Sequence, residues 1–260
     1  MKEAETALTY ILNCRRADLY LDADLRLNKQ QAEVFSQVLL RRIKHEPLQY
    51  ILGRSEFMGL DFKVNKNVLI PRPETEILVE TAIKYMKLKK FPRILDLGTG
   101  SGCIGVSLSK MVIGSLVSAS DISALALEVA KENSRRHSAK IKFLQGDLFA
   151  PLEKQGLLFD LIVSNPPYIA KKDFAGLAEE LSFEPLLALQ AGVDGLDLYR
   201  KIAENAADYL LPKGLLILEL GFGQRSAVEN LLSENGKFEI IETINDYNDI
   251  ARVLVARKEV

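Results

Sequence analysis

The chain has 260 residues, of which 48% are hydrophobic and 27% charged, the balance of a folded globular protein of one or two domains. Its 34 lysines and arginines against 35 aspartates and glutamates give a net charge of −1, which argues against binding of nucleic acid through many phosphate contacts. Two distant cysteines, Cys14 and Cys103, support neither a disulfide framework nor a metal site, and the lack of a long apolar run or signal-peptide pattern predicts a cytoplasmic protein without a membrane partner.

The first fifty residues carry helical patterns. Apolar residues within 7–12 recur at helical spacing, and Asn28 with Gln31 forms a capping pair before a second periodic segment that Pro47 ends. We therefore predict a helical domain over residues 1–52.

A strand-like pattern follows. Residues 60–64 alternate between apolar and polar, and a turn sequence at 65–67 precedes an apolar run at 68–70. We predict a β-hairpin linker over residues 53–72. Pro73 then suits the first turn of a helix.

From residue 91 the chain alternates strands and helices, which predicts a parallel sheet covered on both faces. The strand candidates are 93–97, 116–120, 141–144, 161–164 and 215–220. The helices include 124–136 and 198–211, the second ended by Pro212. Two last strands, 238–244 and 251–257, are predicted to form an antiparallel hairpin at the sheet end. The fold class is thus α/β, a mostly parallel seven-stranded sheet of the Rossmann-like methyltransferase kind over residues 73–260, plus the small helical domain.

A glycine-rich loop joins the first strand of this sheet to a helix. It consists of Gly98, Thr99, Gly100, Ser101 and Gly102. Glycines at such a turn let the backbone approach a ligand closely and direct N–H groups toward it. The frame from residue 100 to 105 also satisfies the dinucleotide fingerprint G-x-G-x-x-G.

Three aspartates accompany the glycine loop. Asp121, at the end of the second strand, is placed to accept both ribose hydroxyl protons, so the pattern predicts an adenosine ribose and leaves NAD and S-adenosylmethionine open. Asp96 could order the loop or face a methionine amine. Asp147, beside Leu148, could accept from an adenine amino group, with a helix or turn cap as the plainer interpretation. Asp96 and Asp147 favour S-adenosylmethionine over NAD.

The candidate catalytic motif is Asn165-Pro166-Pro167-Tyr168, which directly follows the fourth strand. Ligands of open α/β sheets bind outside the carboxyl ends of the strands, so this motif should face a methyl donor. The Asn165 side-chain oxygen and the Pro166 carbonyl could accept both hydrogens of a planar NH₂ group, and Tyr168 could stack on its face. Orientation and electrostatics would then supply most of the acceleration. The structural alternative is an ordinary Pro-Pro turn with an asparagine cap.

Further segments carry a family resemblance. They are EPLQYILG at 46–53, EF at 56–57, LIPRPETE at 69–76, EP at 184–185 and GVDGLDLYR at 192–200, beside NPPYI at 165–169. Together they resemble the bacterial peptide chain release factor glutamine methyltransferases over nearly the whole chain. Some members of that family have tryptophan where this chain has Leu148, so the packing against adenine would be aliphatic here.

The resemblance implies methyl transfer from S-adenosylmethionine, with S-adenosylhomocysteine as product, to the glutamine amide nitrogen of the Gly-Gly-Gln motif in class 1 release factors during translation termination. By position, Gly98 to Gly102, Asp121, Asp147, Leu148 and Asn165 would hold the cofactor. Asn165, Pro166, Pro167 and Tyr168 would hold the glutamine, with Asn165, Pro166 and Tyr168 as the catalytic groups. The helical domain would help dock the release factor, and we expect a monomer.

Three other hypotheses about the function compete with this one. A DNA or RNA base amino-methyltransferase would use the same motif on a flipped base, and the net charge of −1 speaks against its nucleic-acid surface. An NAD(P) oxidoreductase would leave Asn165 to Tyr168 without a role. A non-catalytic adenosine-binding module would bind the methyl donor without turnover.

Overall fold

The N-terminal region of the computed structural model, which describes residues 3–21 and 25–259, is helical as predicted. Its helices are α1 (Glu3–Leu12), α2 (Asp18–Leu21), α3 (Lys29–Arg42) and α4 (Leu48–Leu52). The capping pair is confirmed, since the Gln31 amide donates to Asn28 Oδ1 at 2.9 Å and the Asn28 amide donates to Gln31 Oε1 at 3.0 Å. The second periodic segment ends at Arg42, before Pro47, and Pro47 caps the start of α4. Ala7, Val38, Leu48 and Leu52 form the buried core of this region.

The β-hairpin is present but shorter than predicted. Strands β1 (Arg54–Phe57) and β2 (Leu60–Lys63) pair antiparallel around Met58 and Gly59, both at positive φ as tight hairpin turns require. The apolar run at 68–70 is not a strand, because the Ile70 amide donates to the Glu184 carboxylate at 3.1 Å instead of to a strand partner. The turn sequence at 65–67 therefore leads toward the next helix and not into a strand.

The seven-stranded sheet is confirmed. Its strands are β3 (Arg93–Leu97), β4 (Leu116–Asp121), β5 (Ile141–Gln145), β6 (Phe159–Ser164), β7 (Leu210–Glu219), β8 (Phe238–Asn245) and β9 (Ala251–Lys258), in the order β5-β4-β3-β6-β7-β9-β8. The β9 strand runs antiparallel to both neighbours, and the remaining pairs are parallel. The chain order reverses between β3 and β6, so the loops that follow these two strands meet at the switch point where ligands of such sheets bind.

Helices cover both faces of the sheet. They are α5 (Pro73–Met86), α6 (Cys103–Met111), α7 (Ala124–Arg136), α8 (Asp197–Asn205) and α9 (Arg225–Glu234). One apolar cluster packs α5 and α6 against one face, and a second packs α8 and α9 against the other. As predicted, α5 begins at Pro73, and Glu74 and Glu76 in its first turn complement the positive end of the helix dipole. No helix within the described ranges is long and apolar enough to cross a membrane.

One helix prediction was wrong at its C-terminus. The helix expected over 198–211 ends at Asn205, and a short 3₁₀ turn carries the chain to β7. Pro212 lies inside β7, where the pairing with β6 shifts between Phe159 and Leu161 and Lys213 adopts a φ of 61°. The proline is accommodated because this irregular stretch does not use its backbone nitrogen for strand pairing.

A long connection of short 3₁₀ turns links β6 to α8. Its turns are Lys171–Gly176, Glu179–Phe183 and Leu186–Ala188. We call residues 171–190 the connecting segment. It contacts the N-terminal helices, since Arg42 pairs with Glu180, and His45 Nε2 lies 3.1 Å from Glu179 Oε2.

Candidate functional site

The glycine loop is ordered by Asp96, which is fully buried in β3. Its Oδ2 accepts hydrogen bonds from the Thr99 hydroxyl at 2.5 Å and the Gly105 amide at 2.9 Å. Burial raises the pKa of this carboxyl to about 7, and the two hydrogen bonds oppose the rise. Of the two roles expected for Asp96, the structure therefore shows the ordering of the loop.

Asp121 ties the same loop to the end of β4. Its Oδ2 accepts from the Gly100 amide at 2.8 Å, and its Oδ1 accepts from the Ser123 amide at 2.9 Å. Burial raises the pKa of this carboxyl, and backbone hydrogen bonds oppose the rise. Each oxygen keeps a lone pair, so the half-buried carboxylate can accept further hydrogen bonds from a ligand.

A cavity of about 320 Å³ lies above the glycine loop and the ends of β4 and β5. The predicted cofactor residues that line it are Gly98, Thr99, Gly100, Ser101, Asp121, Asp147, Leu148 and Asn165. The lining also includes apolar side chains that sequence reasoning missed, among them Ile122, Val68 and Leu187. We call this space the cofactor cavity, after the residues predicted to hold a cofactor that line it.

Gly102 has a different position from the other loop glycines, because it lies at the start of α6. Its φ is 83°, and a Cβ there would lie 3.1 Å from the Cβ of Ala130 in α7. Because Gly102 has no side chain, α6 can pack closely on α7. Gly102 supports the loop without lining the cofactor cavity.

Asp147 is more exposed than Asp121. Its carboxylate lies 3.3 Å from the Lys201 ammonium in α8, and both side chains are about half exposed. The Asp147 carbonyl accepts from the Ala150 amide at 2.9 Å, so the residue also begins a turn. Asp147 thus lies at the mouth of the cofactor cavity, where water screens its ion pair with Lys201.

A second cavity, of about 430 Å³, adjoins the first and is here called the substrate cavity. The predicted residues Asn165, Pro166, Pro167 and Tyr168 all line it, and Asn165 and Pro167 line the cofactor cavity as well. The motif therefore stands between the two spaces.

The side chain of Asn165 is oriented by α5. Its Nδ2 donates to the Thr75 hydroxyl oxygen at 3.1 Å. The preceding Ser164 donates from its hydroxyl to the Leu97 carbonyl at 2.7 Å, which joins the ends of β6 and β3. The bond to Thr75 leaves Asn165 Oδ1 available as an acceptor.

Tyr168 is held against the end of β7. Its carbonyl accepts from Gln224 Nε2 at 2.9 Å, and a Cβ on Gly221 would lie 2.9 Å from its ring. A side chain at position 221 would therefore displace the ring. Burial raises the pKa of the Tyr168 phenol to about 12, so the ring stays neutral at ordinary pH.

Buried and half-buried charges complete the substrate cavity, and the local sequence patterns did not predict them. They include Arg72, Glu74, Glu184, Glu219 and Arg252. The Glu184 carboxylate is buried and accepts from Arg72 and from the Ile70 amide, which fastens the connecting segment to the start of α5. In the sequence analysis, Glu184 was named only within the family resemblance. No nearby motif indicated that it would contact Arg72 and the Ile70 amide.

The sheet order, the glycine loop at the switch point and the motif beside it define the class of Rossmann-like methyltransferases. Residues 73–192 match the family model described as the methyltransferase small domain, and residues 1–53 match the model described as the PrmC N-terminal domain. The release factor glutamine methyltransferase of Geobacter sulfurreducens is 43% identical over 98% of this chain and 88% of its own length. That of Thermodesulfovibrio yellowstonii is 40% identical over 99% of this chain and 92% of its own. The chain belongs to the release factor glutamine methyltransferase family.

Solved structures agree on the fold. A methyltransferase from Pyrococcus furiosus superposes with a TM-score of 0.57 at 20% identity, covering 86% of this chain and all of that one. The T. thermophilus 16S rRNA N2 G1207 methyltransferase, solved with AdoMet and guanosine, gives a TM-score of 0.58 at 19% identity, covering 79% of this chain and 50% of that one. At these identities the likeness concerns the fold alone.

Proposed function

We propose that this protein transfers a methyl group from S-adenosylmethionine to the side-chain amide nitrogen of the glutamine in the Gly-Gly-Gln motif of class 1 release factors. The observation that carries the proposal is the position of Asn165, which borders both the cofactor cavity and the substrate cavity. Several relatives that are 36–43% identical are named release factor glutamine methyltransferase, which supports a glutamine of a release factor as the methylated group.

The polar and apolar groups that line the cofactor cavity suit S-adenosylmethionine. The backbone of Gly98 to Ser101 borders a space that carries a carboxylate, Asp121, for two ribose hydroxyls. Ile122 and Leu148 offer apolar contact for adenine, and Asp147 offers an acceptor for its amino group. When bound, the cofactor supplies an electrophilic methyl group on a sulfonium.

The substrate cavity suits a planar amide. Asn165 Oδ1 and the Pro166 carbonyl can accept the two hydrogens of an NH₂ group, and a proline nitrogen offers no competing donor. Two acceptors hold the amide nitrogen in line with the methyl group and favour a localised lone pair. The neutral Tyr168 ring can stack on the amide face. No strong base is needed before attack, because the proton can leave afterwards.

The deciding experiment is a methyl-transfer assay with labelled S-adenosylmethionine, with the products mapped by peptide mass spectrometry. Purified release factor, duplex DNA and ribosomal RNA are offered separately, and a release factor with alanine in place of the Gly-Gly-Gln glutamine is the matched control. We expect label on that glutamine and none on the control. Label on nucleic acid would instead assign a base amino-methyltransferase, and binding without any label would leave an adenosine-binding module. Sedimentation of the same preparation tests the expected monomer.

A further inference from the structure

The substrate cavity contains a buried carboxylate to which the proposed reaction assigns no role. Glu219 is the last residue of β7, lines the substrate cavity and is only 1% exposed. Within the described residues, its Oε2 atom is buried without a hydrogen-bond partner. Buried polar atoms are almost always paired, so an unpaired carboxylate oxygen at the wall of a cavity is placed to bind a group that enters it.

The sheet places Glu219 beside Asn165. Val163 and Ile217 are partners in the parallel register of β6 and β7, and both belong to the apolar cluster on the α5 face of the sheet. Side chains return to the same face every second residue, so Asn165 and Glu219 continue this face on neighbouring strands. The hydrogen bond from Asn165 to Thr75 of α5 confirms the face for Asn165. The two side chains therefore lie next to each other at the substrate cavity.

The two cations near Glu219 each have another carboxylate partner. The Arg252 Nε atom lies 3.0 Å from Asp246 Oδ2, and Arg72 forms an ion pair with Glu184. A carboxylate that shares its neighbouring cations with other carboxylates is a stronger base than one in a dedicated ion pair. Glu219 thus combines burial with weak compensation of its negative charge.

This environment sets the protonation of Glu219. Burial raises the pKa of its carboxyl to about 7, the charges of Arg252 and Arg72 oppose the rise, and that of Glu74 adds to it. A carboxyl of this kind is partly ionised near neutral pH, and a pKa near the working pH suits a group that takes up a proton. The charged and titratable groups that interact with it are Arg72, Glu74, Arg252, Tyr168 and Tyr199.

Methylation of an amide nitrogen leaves that nitrogen with one proton too many. When the N–C bond forms and the C–S bond of the sulfonium breaks, the nitrogen carries the methyl group, two hydrogens and a positive charge. One N–H bond must then break to give the neutral N-methyl amide. The oxygens of Asn165 and Pro166 are amide oxygens, which accept hydrogen bonds but are too weakly basic to keep a proton near neutral pH. The Tyr168 phenol is already protonated, because burial raises its pKa to about 12.

We propose that Glu219 is the proton acceptor of the reaction, and that its Oε2 atom takes the proton that the amide nitrogen loses after methyl transfer. The N–H bond breaks, its electron pair stays on the nitrogen, and an O–H bond forms on the carboxylate. The neutral carboxylic acid returns the proton to water when the product leaves. Before this step, the negative carboxylate stabilises the positive charge that develops on the nitrogen. The inference rests on the proposed function, because it requires the glutamine amide in the substrate cavity.

The kinetic test compares Glu219→Gln, which removes the basic group at nearly constant shape, with Glu219→Asp, which keeps it on a shorter side chain. We expect kcat for release factor methylation to fall about 10- to 50-fold in Glu219→Gln, less than a general base often contributes, because the bond to the methyl group forms first. Glu219→Asp should retain clearly more activity. The calorimetric affinity for S-adenosylmethionine should be nearly unchanged in both. A wild-type kcat in Glu219→Gln, or a loss of cofactor affinity that matches the fall in kcat, would overturn the proposal.

The pH profile distinguishes a proton acceptor from a carboxyl that only supports the fold. The wild-type kcat should fall as the pH decreases through about 7, because the protonated Glu219 carboxyl cannot accept a proton. This dependence should disappear in Glu219→Gln and return in Glu219→Asp. The Asp96 carboxyl also has its pKa raised to about 7, and Glu74 lines the same cavity. A dependence that persists in Glu219→Gln, or that disappears only in Glu74→Gln, would assign the titration to another group and refute the role of Glu219.

A spectroscopic titration adds a readout that needs no turnover. The ¹³C resonance of the Glu219 carboxyl, assigned by its loss in Glu219→Gln, should titrate over the same pH range as kcat. A carboxyl that keeps one protonation state throughout the pH range of the assay would overturn the acceptor role even where labelling of release factor is normal. If the wild-type protein labels no release factor, the proposed function fails, and the acceptor role fails with it.

Discussion

The two adjoining cavities are built in different ways. The cofactor cavity centres on a loop and a strand end that are close in sequence, from Gly98 to Asp121, and hydrogen bonds such as that from the Gly100 amide to Asp121 join them. The substrate cavity draws its walls from the N-terminal helices, the start of α5, the connecting segment, and strands β7 and β9. The first has a centre that is local along the chain, with further walls from distant positions such as Val68 and Leu187, whereas the second is built throughout from distant segments.

This difference determines what a substitution should do in each place. In the cofactor cavity a substitution at the glycine loop or at Asp121 should chiefly alter the affinity for S-adenosylmethionine, because local hydrogen bonds join these two parts of the wall. In the substrate cavity, the buried carboxylate of Glu184 holds Arg72 and the Ile70 amide in place, so a substitution should act at a distance from the altered atom. Asn165 belongs to both cavities and gives the sharpest test.

The largest effect is expected for Asn165→Ala. Removing one acceptor that acts chiefly in the transition state should lower kcat by ~100-fold or more. The affinity for S-adenosylmethionine, measured by calorimetry, should change far less. Turnover close to wild type would contradict the role proposed for Asn165, and a dominant loss of cofactor affinity would move the residue to the cofactor cavity alone.

A smaller effect, confined to the cofactor cavity, is expected for Asp121→Ala. This substitution removes the proposed ribose acceptor and the bond that holds the Gly100 amide at 2.8 Å. Hydrogen bonds to a charged group contribute about 1.5–3 kcal/mol, so the dissociation constant for S-adenosylmethionine should rise roughly 10- to 100-fold. The KM for release factor should stay near the wild-type value, and an unchanged cofactor affinity would refute the ribose assignment.

The same difference explains how far the sequence alone could lead. The β3 and α7 boundaries, and the glycine and aspartate residues that line the cofactor cavity, follow from patterns within short stretches, since strand, glycine turn and helix succeed one another there. The apolar lining at Val68, Ile122 and Leu187 does not. The partners of Glu184, which are Arg72 and the Ile70 amide, lie in another segment, and no periodicity or motif encodes such a pairing. The strand expected at 68–70 failed for this reason, because a carboxylate 114 positions away satisfies the Ile70 amide.

Glu184→Ala tests whether the connecting segment shapes the substrate cavity. It removes the carboxylate that binds both Arg72 and the Ile70 amide, so the segment should detach from the start of α5. We expect the KM for release factor to rise about 10-fold. The melting temperature should fall, because the Arg72 guanidinium and the Ile70 amide both lose their acceptor. Arg72 is a third exposed, which moderates the loss of stability.

Two measurements complete this test. Glu184→Gln serves as the matched control, since its oxygen can still accept one of the two bonds, and it should lie between Glu184→Ala and wild type. The kcat at saturating release factor should be close to wild type in both variants. A KM unchanged in Glu184→Ala, with the fold intact, would mean that the connecting segment does not shape the substrate cavity.

The smallest effect should come from Asp147→Asn, and it tests whether the cofactor cavity relies more on Asp121 or on the more exposed carboxylate of Asp147. Asp147 is about half exposed and already pairs with Lys201 at 3.3 Å, so water and that pair screen its interaction with a ligand. An exposed interaction of 0.2–1 kcal/mol corresponds to a rise of up to about 5-fold in the dissociation constant for S-adenosylmethionine. Lys201→Met is the control, because it removes the pair but keeps the carboxylate, and it should leave the affinity unchanged or slightly higher. If Asp147→Asn weakened binding as much as Asp121→Ala, the adenine end would carry as much binding energy as the ribose end, and burial would not be what distinguishes the two carboxylates.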